Sequence, residues 1–121
     1  MSTLIEKIRK SRQSVVQHGA WDFTVTRPTD MDMLDLQSAT RTNRVTQGEL
    51  LKRFVIGWEG VNETDVIPGG SGVPVAFSAD LFAEWIADRP YLWEALTEAI
   101  INGYKAHELA LERSAKNSMP G

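Results

Sequence analysis

The chain has 121 residues and a mass of 13.5 kDa, enough for one domain with its own core and no need of covalent staples. It contains no cysteine, which excludes disulfides, thiolate metal sites and thiol nucleophiles. The net charge of −3 is divided unevenly, with five bases against two acids in residues 1–27 (+3), five against twelve in residues 28–104 (−7) and +1 thereafter, which is not the pattern of a uniformly basic nucleic-acid binder.

In chain order, the N-terminus lacks the apolar core of a signal peptide, and no apolar run approaches the ~18 residues of a membrane span. A cytoplasmic location is the expectation. "TLIEKIRKSR" places Leu4, Ile5 and Ile8 on one face of a short amphipathic helix. Trp21, Phe23 and Val25 alternate with Asp22, Thr24 and Thr26, the period of a half-buried strand. With the β-prone "SVVQ" before it and Gly19 in the turn, residues 13–27 are predicted to form a β-hairpin ending at Pro28. "PTDMDMLDLQSA" opens a helix capped by Thr29, with Asp32 three residues on and Asp30 in the first turn. Either Met31 and Leu34 or Met33 and Leu36 face inward. Residues 40–44, "TRTNR", read as a polar connection.

"TQGELLKRFVIGWEG", residues 46–60, is predicted to be one helix. Thr46 and Glu49 have capping-box spacing; Leu50, Leu51, Phe54, Val55 and Trp58 form a broad apolar stripe; Gly60 stops the helix. Trp58 is then a core residue at a helix exit. Residues 60–77 hold four glycines and two prolines and predict a long loop, whose stretch 62–72 is expected to be mobile and free of metal and nucleotide. "VPVAF" is compatible with a short strand. Ser78 caps the next helix, with Leu81, Phe82, Trp85 and Ile86 inward. Pro90 begins the longest helix, residues 90–115, striped by Leu92, Leu96, Ala99, Ile100, Gly103, His107, Ala110 and Leu111. Residues 116–121 form a frayed tail to a single domain of residues 1–115. The fold class is α+β: a short N-terminal helix and a β-hairpin followed by a mainly α-helical bundle.

The chemistry-bearing residues form no catalytic, metal or cofactor constellation. His18 and His107 are far apart, with no cysteine pair to join them. "NETD" lacks the order of a calcium loop, and "PGGSG" lacks the lysine of a phosphate-binding loop. No nucleophile-elbow spacing occurs, and "KIRKSR" lacks the interleaved aromatics of a nucleic-acid groove. The chain therefore reads as a non-enzyme that uses no cofactor. Its tryptophans are more informative. Trp93 lies off the Leu92–Leu96–Ile100 line and follows Tyr91, which suits an interface anchor. A helix with apolar residues on more than one side needs more than one neighbour. Residues 91–111 are accordingly expected to bind hydrophobic helical segments of a partner through Tyr91, Trp93, Leu96, Ile100, Tyr104 and His107, with Gly103 allowing close approach. Lys7 and Arg9 are expected to meet the acidic middle of a second copy head to tail, in a contact weakened by salt.

The order of short motifs adds a resemblance. Residues 23–29 read F-x-x-x-R-P-T, residues 58–61 W-E-G-V, residues 74–78 P-V-x-F-S, and Lys116-Asn117 closes the series. This order resembles the tail assembly chaperones of long-tailed bacteriophages and prophages, apart from a "GGSG" loop longer than that family's. The resemblance implies a protein of the bacterial host cytoplasm, absent from the mature virion. It would keep the tape-measure protein soluble until tail-tube subunits polymerise around it, with the major tail protein and further copies of itself as other partners. The alternatives are a small tail or neck (tail completion) protein retained in the virion and a helix-binding adaptor. No nucleic acid, membrane or cofactor is implied.

Overall fold

A computed structural model describes residues 3–41 and 47–118. Helix α1 (Leu4–Ser11) starts where the Thr3 hydroxyl accepts the Glu6 N–H at 3.1 Å. Glu6 in its first turn and Arg9 and Lys10 in its last complement the helix dipole. Strands β1 (Gln13–His18) and β2 (Trp21–Thr26) form the expected hairpin, with Gly19 in the left-handed region at φ 61° and His18 opposite Trp21. Helix α2 (Asp30–Arg41) carries a reciprocal cap: the Asp32 N–H donates to Thr29 Oγ1 at 3.0 Å and the Thr29 N–H to Asp32 Oδ2 at 2.8 Å. Of its two possible inward pairs, Met33 and Leu36 join the core, while Met31 and Leu34 stand exposed. Thr40 and Arg41, expected in a connection, belong to α2. The rest of that connection and the proposed Thr46 cap lie outside the described residues.

The helix predicted over residues 46–60 is corrected. Helix α3 (Gln47–Phe54) passes directly into strand β3 (Val55–Glu59), which pairs antiparallel with β2 to complete a three-stranded sheet in the order β1-β2-β3. Two adjacent β-branched residues, Val55 and Ile56, favour strand over helix. The stripe that looked helical has a different cause. Val55 faces Val25 and Gly57 faces Thr24, so the ladder slips by one residue at Ile56. A bulge of this kind shifts the alternation of faces. It lets Val55 and Trp58, three apart, both point into the core, and it leaves Ile56 exposed. Trp58 is buried as expected, but on a strand. Gly60, at φ 83°, is not a helix stop: it ends β3 against the hairpin turn, where a Cβ would run into the Ala20 carbonyl oxygen.

Beyond the sheet come α4 (Glu63–Val66), α5 (Ala79–Ile86) and α6 (Pro90–Ser118). Helix α6 thus extends through Lys116, where a frayed tail was expected. Phe23, Leu51, Phe82, Leu92, Leu96 and Ile100 are almost wholly enclosed between the sheet and helices α3, α5 and α6. The aromatic part of this core centres on Trp85, whose ring lies 5.2 Å from Trp21 and 5.6 Å from Trp58, edge to face. Three of the four indoles meet a main-chain carbonyl: Trp58 Nε1–H donates to Val75 O at 2.7 Å, Trp85 to Asp65 O at 2.9 Å and Trp93 to Ile86 O at 2.7 Å.

Two of those carbonyls belong to the stretch expected to be a structureless loop. It is instead held to itself. Asn62 and Asp65 form a capping box at α4, and Glu63 and Thr64 N–H groups donate to Val73 and Ser71 carbonyls, both at 3.0 Å. The Ser71 N–H donates to Glu63 Oε1, and Val75 N–H returns to Val61 O at 2.9 Å. Gly70 presses on Glu63, where a Cβ would sit 2.8 Å from the backbone. "VPVAF" forms no strand, only an isolated bridge between Pro74 and Asn62. Among the described residues, no helix is long and apolar enough to cross a membrane.

Candidate functional site: a basic cleft beside the N-terminal helix

Where α1 hands over to the hairpin, the Arg12 carbonyl accepts the Arg27 N–H at 2.9 Å, so the start of β1 and the end of β2 hold two arginines side by side. Arg27 also crosses α6 at Gly103, where a Cβ would come within 3.2 Å of Arg27 Cβ. The close approach expected of Gly103 is therefore made within the chain. Arg27 Nη1–H donates to Pro28 O at 3.0 Å. Arg53 on α3 pairs with Asp32, and its guanidinium lies 5.3 Å from the Phe54 ring centroid.

These residues wall two adjoining hollows. One, of about 310 Å³, is lined by Arg9, Arg12, Arg27, Arg53 and Asp32 over Phe54 and Ile56. The other, of about 360 Å³, shares Arg12 and Arg27 and reaches Gly103 and His107. None of the ion pairs among the described residues involves Arg9, Arg12 or Arg27. Burial first, and the charge of Arg12 second, lower the Arg27 guanidinium from its ordinary value, against the pull of Asp30 and Tyr104.

Beside the second hollow, Asp30 engages His107, one of its lining residues. Tyr104 Oη–H donates to Asp30 Oδ1 at 2.7 Å, and His107 Nε2 lies 3.3 Å from Asp30 Oδ2. The Tyr104 and His107 contacts hold the Asp30 carboxyl below its usual range, and in return Asp30 pushes the Tyr104 phenol up to about 12. An ionised carboxylate only accepts hydrogen bonds, so His107 Nε2 is the donor. Asp32 is lowered too: burial works against its charge, but the Thr29 N–H, the Thr29 hydroxyl and Arg53 together outweigh it.

The structure divides the six residues predicted to bind a partner. Leu96 and Ile100 are corrected: both are buried in the chain's own core and out of any partner's reach. Tyr104 and His107 are engaged by Asp30. Trp93 is half-buried and walls a separate hollow of about 440 Å³ with Ala83, Ile86 and Ala87. Tyr91 is exposed, its ring 6.0 Å from that of His18. Of the two residues predicted for self-association, Arg9 lines the cleft and Lys7 does not. Arg12, Arg27 and Arg53 were not foreseen as site residues. Arg9 and Arg12, three apart on a helix, carried a readable hint of one shared face; Arg53 carried none.

The apolar surface lies next to this cleft. Helix α1 buries none of its residues, and Leu4, Ile5 and Ile8 are 73%, 61% and 45% exposed. No protein family, curated protein or solved structure compared with the chain matches it. The fold and the cleft define an α+β protein with an open basic and apolar face.

Proposed function

We propose that the chain is a non-enzymatic tail assembly chaperone of a long-tailed phage or prophage, which receives apolar helical segments of the tape-measure protein on α1. The observation that carries a helix-binding role is the uncovered face of that helix. Isolated helices shorter than ~12–15 residues are marginal in water, and α1 has eight residues and buries none. Leu4, Ile5 and Ile8 therefore suit a surface completed by a second helix. The order of the F-x-x-x-R-P-T, W-E-G-V and P-V-x-F-S stretches supports the tape-measure protein as the source of that helix. On this reading the protein acts in the bacterial cytoplasm, assembles with further copies of itself, also meets the major tail protein, and leaves before the virion is complete.

Co-expression with a tape-measure fragment tests it. The wild-type chain should hold the fragment in the soluble fraction, and Ile5→Glu/Ile8→Glu should return it to the pellet without lowering the melting temperature. A fragment that stays insoluble with wild type sinks the chaperone role. Mass spectrometry of purified virions that finds the chain in stoichiometric amount favours a small tail or neck component instead.

A further inference from the structure

We infer that the hollow lined by Arg9, Arg12, Arg27 and Arg53 binds the carboxylates of an acidic amphipathic helix on a partner protein. The inference rests on the reading that α1 receives a helix, and it adds the chemistry that selects one.

Charge is the first argument. Four guanidiniums and one carboxylate line the hollow, a net charge of +3. That carboxylate, Asp32, is already committed to Arg53 and to the N–H of Thr29. Each guanidinium carries five N–H donors in a planar fork matched to a carboxylate. Arg27 spends one on Pro28 O. Like charges gathered in a concave surface repel one another, and an anionic occupant relieves that repulsion.

Shape is the second. The floor is apolar: Phe54, with Arg53 stacked over it, and Ile56, turned outward by the β3 bulge. Continuity is the third. Ile5 and Arg9 are four residues apart and share a side of α1, and Arg12 is its C-cap residue. The exposed apolar strip of α1 therefore leads into the arginines. A helix with leucines followed by glutamates on one side covers both parts. A small phosphate fills the hollow but leaves the strip bare. A flat anionic membrane meets the strip but not charges that face into a hollow.

Fluorescence anisotropy on the full chain tests this with a labelled synthetic amphipathic helix bearing three glutamates beside a leucine face, and with its glutamine twin. The glutamate peptide should bind about tenfold tighter than the twin, the loss expected when a charge-assisted hydrogen bond is removed. Arg9→Gln/Arg12→Gln should remove that preference with an unchanged melting temperature. Lys7→Gln/Lys10→Gln takes the same charge from α1 outside the hollow and should leave the preference intact. Equal binding of both peptides, or equal losses from the arginine and lysine pairs, overturns the inference but leaves α1 as a helix receptor. Binding of neither peptide overturns both. Pyrophosphate that displaces the peptide at equal ionic strength, or phosphatidylglycerol vesicles bound in preference to it, overturns the acidic helix as the ligand.

Discussion

Around Trp85 the polar groups are spent. Its indole N–H and the Arg89 guanidinium both donate to the Asp65 carbonyl, each at 2.9 Å, and the Arg89 charge sits 4.6 Å above the Trp85 ring. Around Arg12 the reverse holds: among the described residues three guanidiniums have no carboxylate in an ion pair, and the adjoining helix shows its apolar residues to solvent. The first region is a finished interior that exists for stability. The second leaves charged and apolar side chains open to solvent. Substitutions should therefore separate stability from binding cleanly between the two.

The largest expected effect is at the closed side. Trp85→Ala and Trp58→Ala each leave a cavity, and Trp58→Ala also takes the indole donor from the Val75 carbonyl; each should cost ~3–5 kcal/mol in urea unfolding. A cost near zero for either would mean that the aromatic cluster is not the core. Next comes Gly60→Ala. It places a Cβ at positive φ and against the Ala20 carbonyl, a loss of roughly 1–3 kcal/mol from the backbone strain alone. A neutral outcome would show that the junction between β3 and the hairpin turn is loose.

Smaller effects belong to the Asp30–Tyr104–His107 clasp. Asp30 and Asp32 have lowered folded-state values, so their contribution is present above the ordinary carboxylate value near ~4 and is lost as pH falls through the folded value. Asp30→Asn should flatten the acid limb of a pH–stability curve. Tyr104 has the opposite sign. Its raised value favours the protonated phenol, so its contribution is complete below about 10 and fades as pH rises through about 12. Tyr104→Phe should remove that alkaline limb. The smallest effect is at the open side: Arg9→Gln and Ile5→Ser should each stay within ~0.5 kcal/mol of wild type. A large destabilisation there would mean that α1 packs on its own chain.

Much of the closed side could be read from the sequence, because it obeys local rules. Strand alternation at Trp21, Phe23 and Val25, the Thr29 and Ser78 caps and the Leu92–Leu96–Ile100 stripe each depend on residues within a few positions. What failed was periodicity across a bulge. Phe54, Val55 and Trp58 mimic a helix stripe only because the strand slips at Ile56, and that slip is set by pairing with β2. The long loop failed for a related reason, since its partners include indoles from β3 and α5. The cleft was the hardest part. Its arginines come from α1, the end of β2 and α3, and only Arg9 and Arg12 are neighbours in sequence. A partner surface was sought on α6 because its stripe is the longest, but the chain itself covers most of that stripe.

The central strand has a further consequence, for the order in which the chain folds. Val25 is paired on one side with Ser14, close along the chain, and on the other with Val55, beyond the whole of α2 and α3. A local hairpin closes in about 1–10 μs, whereas the third strand arrives only after a much longer loop has been closed, with the entropy which that costs. Until then β2 has an open edge, and a two-stranded ribbon is marginal by itself. Docking of β3 delivers Val55 and Trp58 to the interior in the same event that covers the edge. The sheet and the aromatic interior therefore form together, while α1, which buries none of its residues, stays outside that cooperative step.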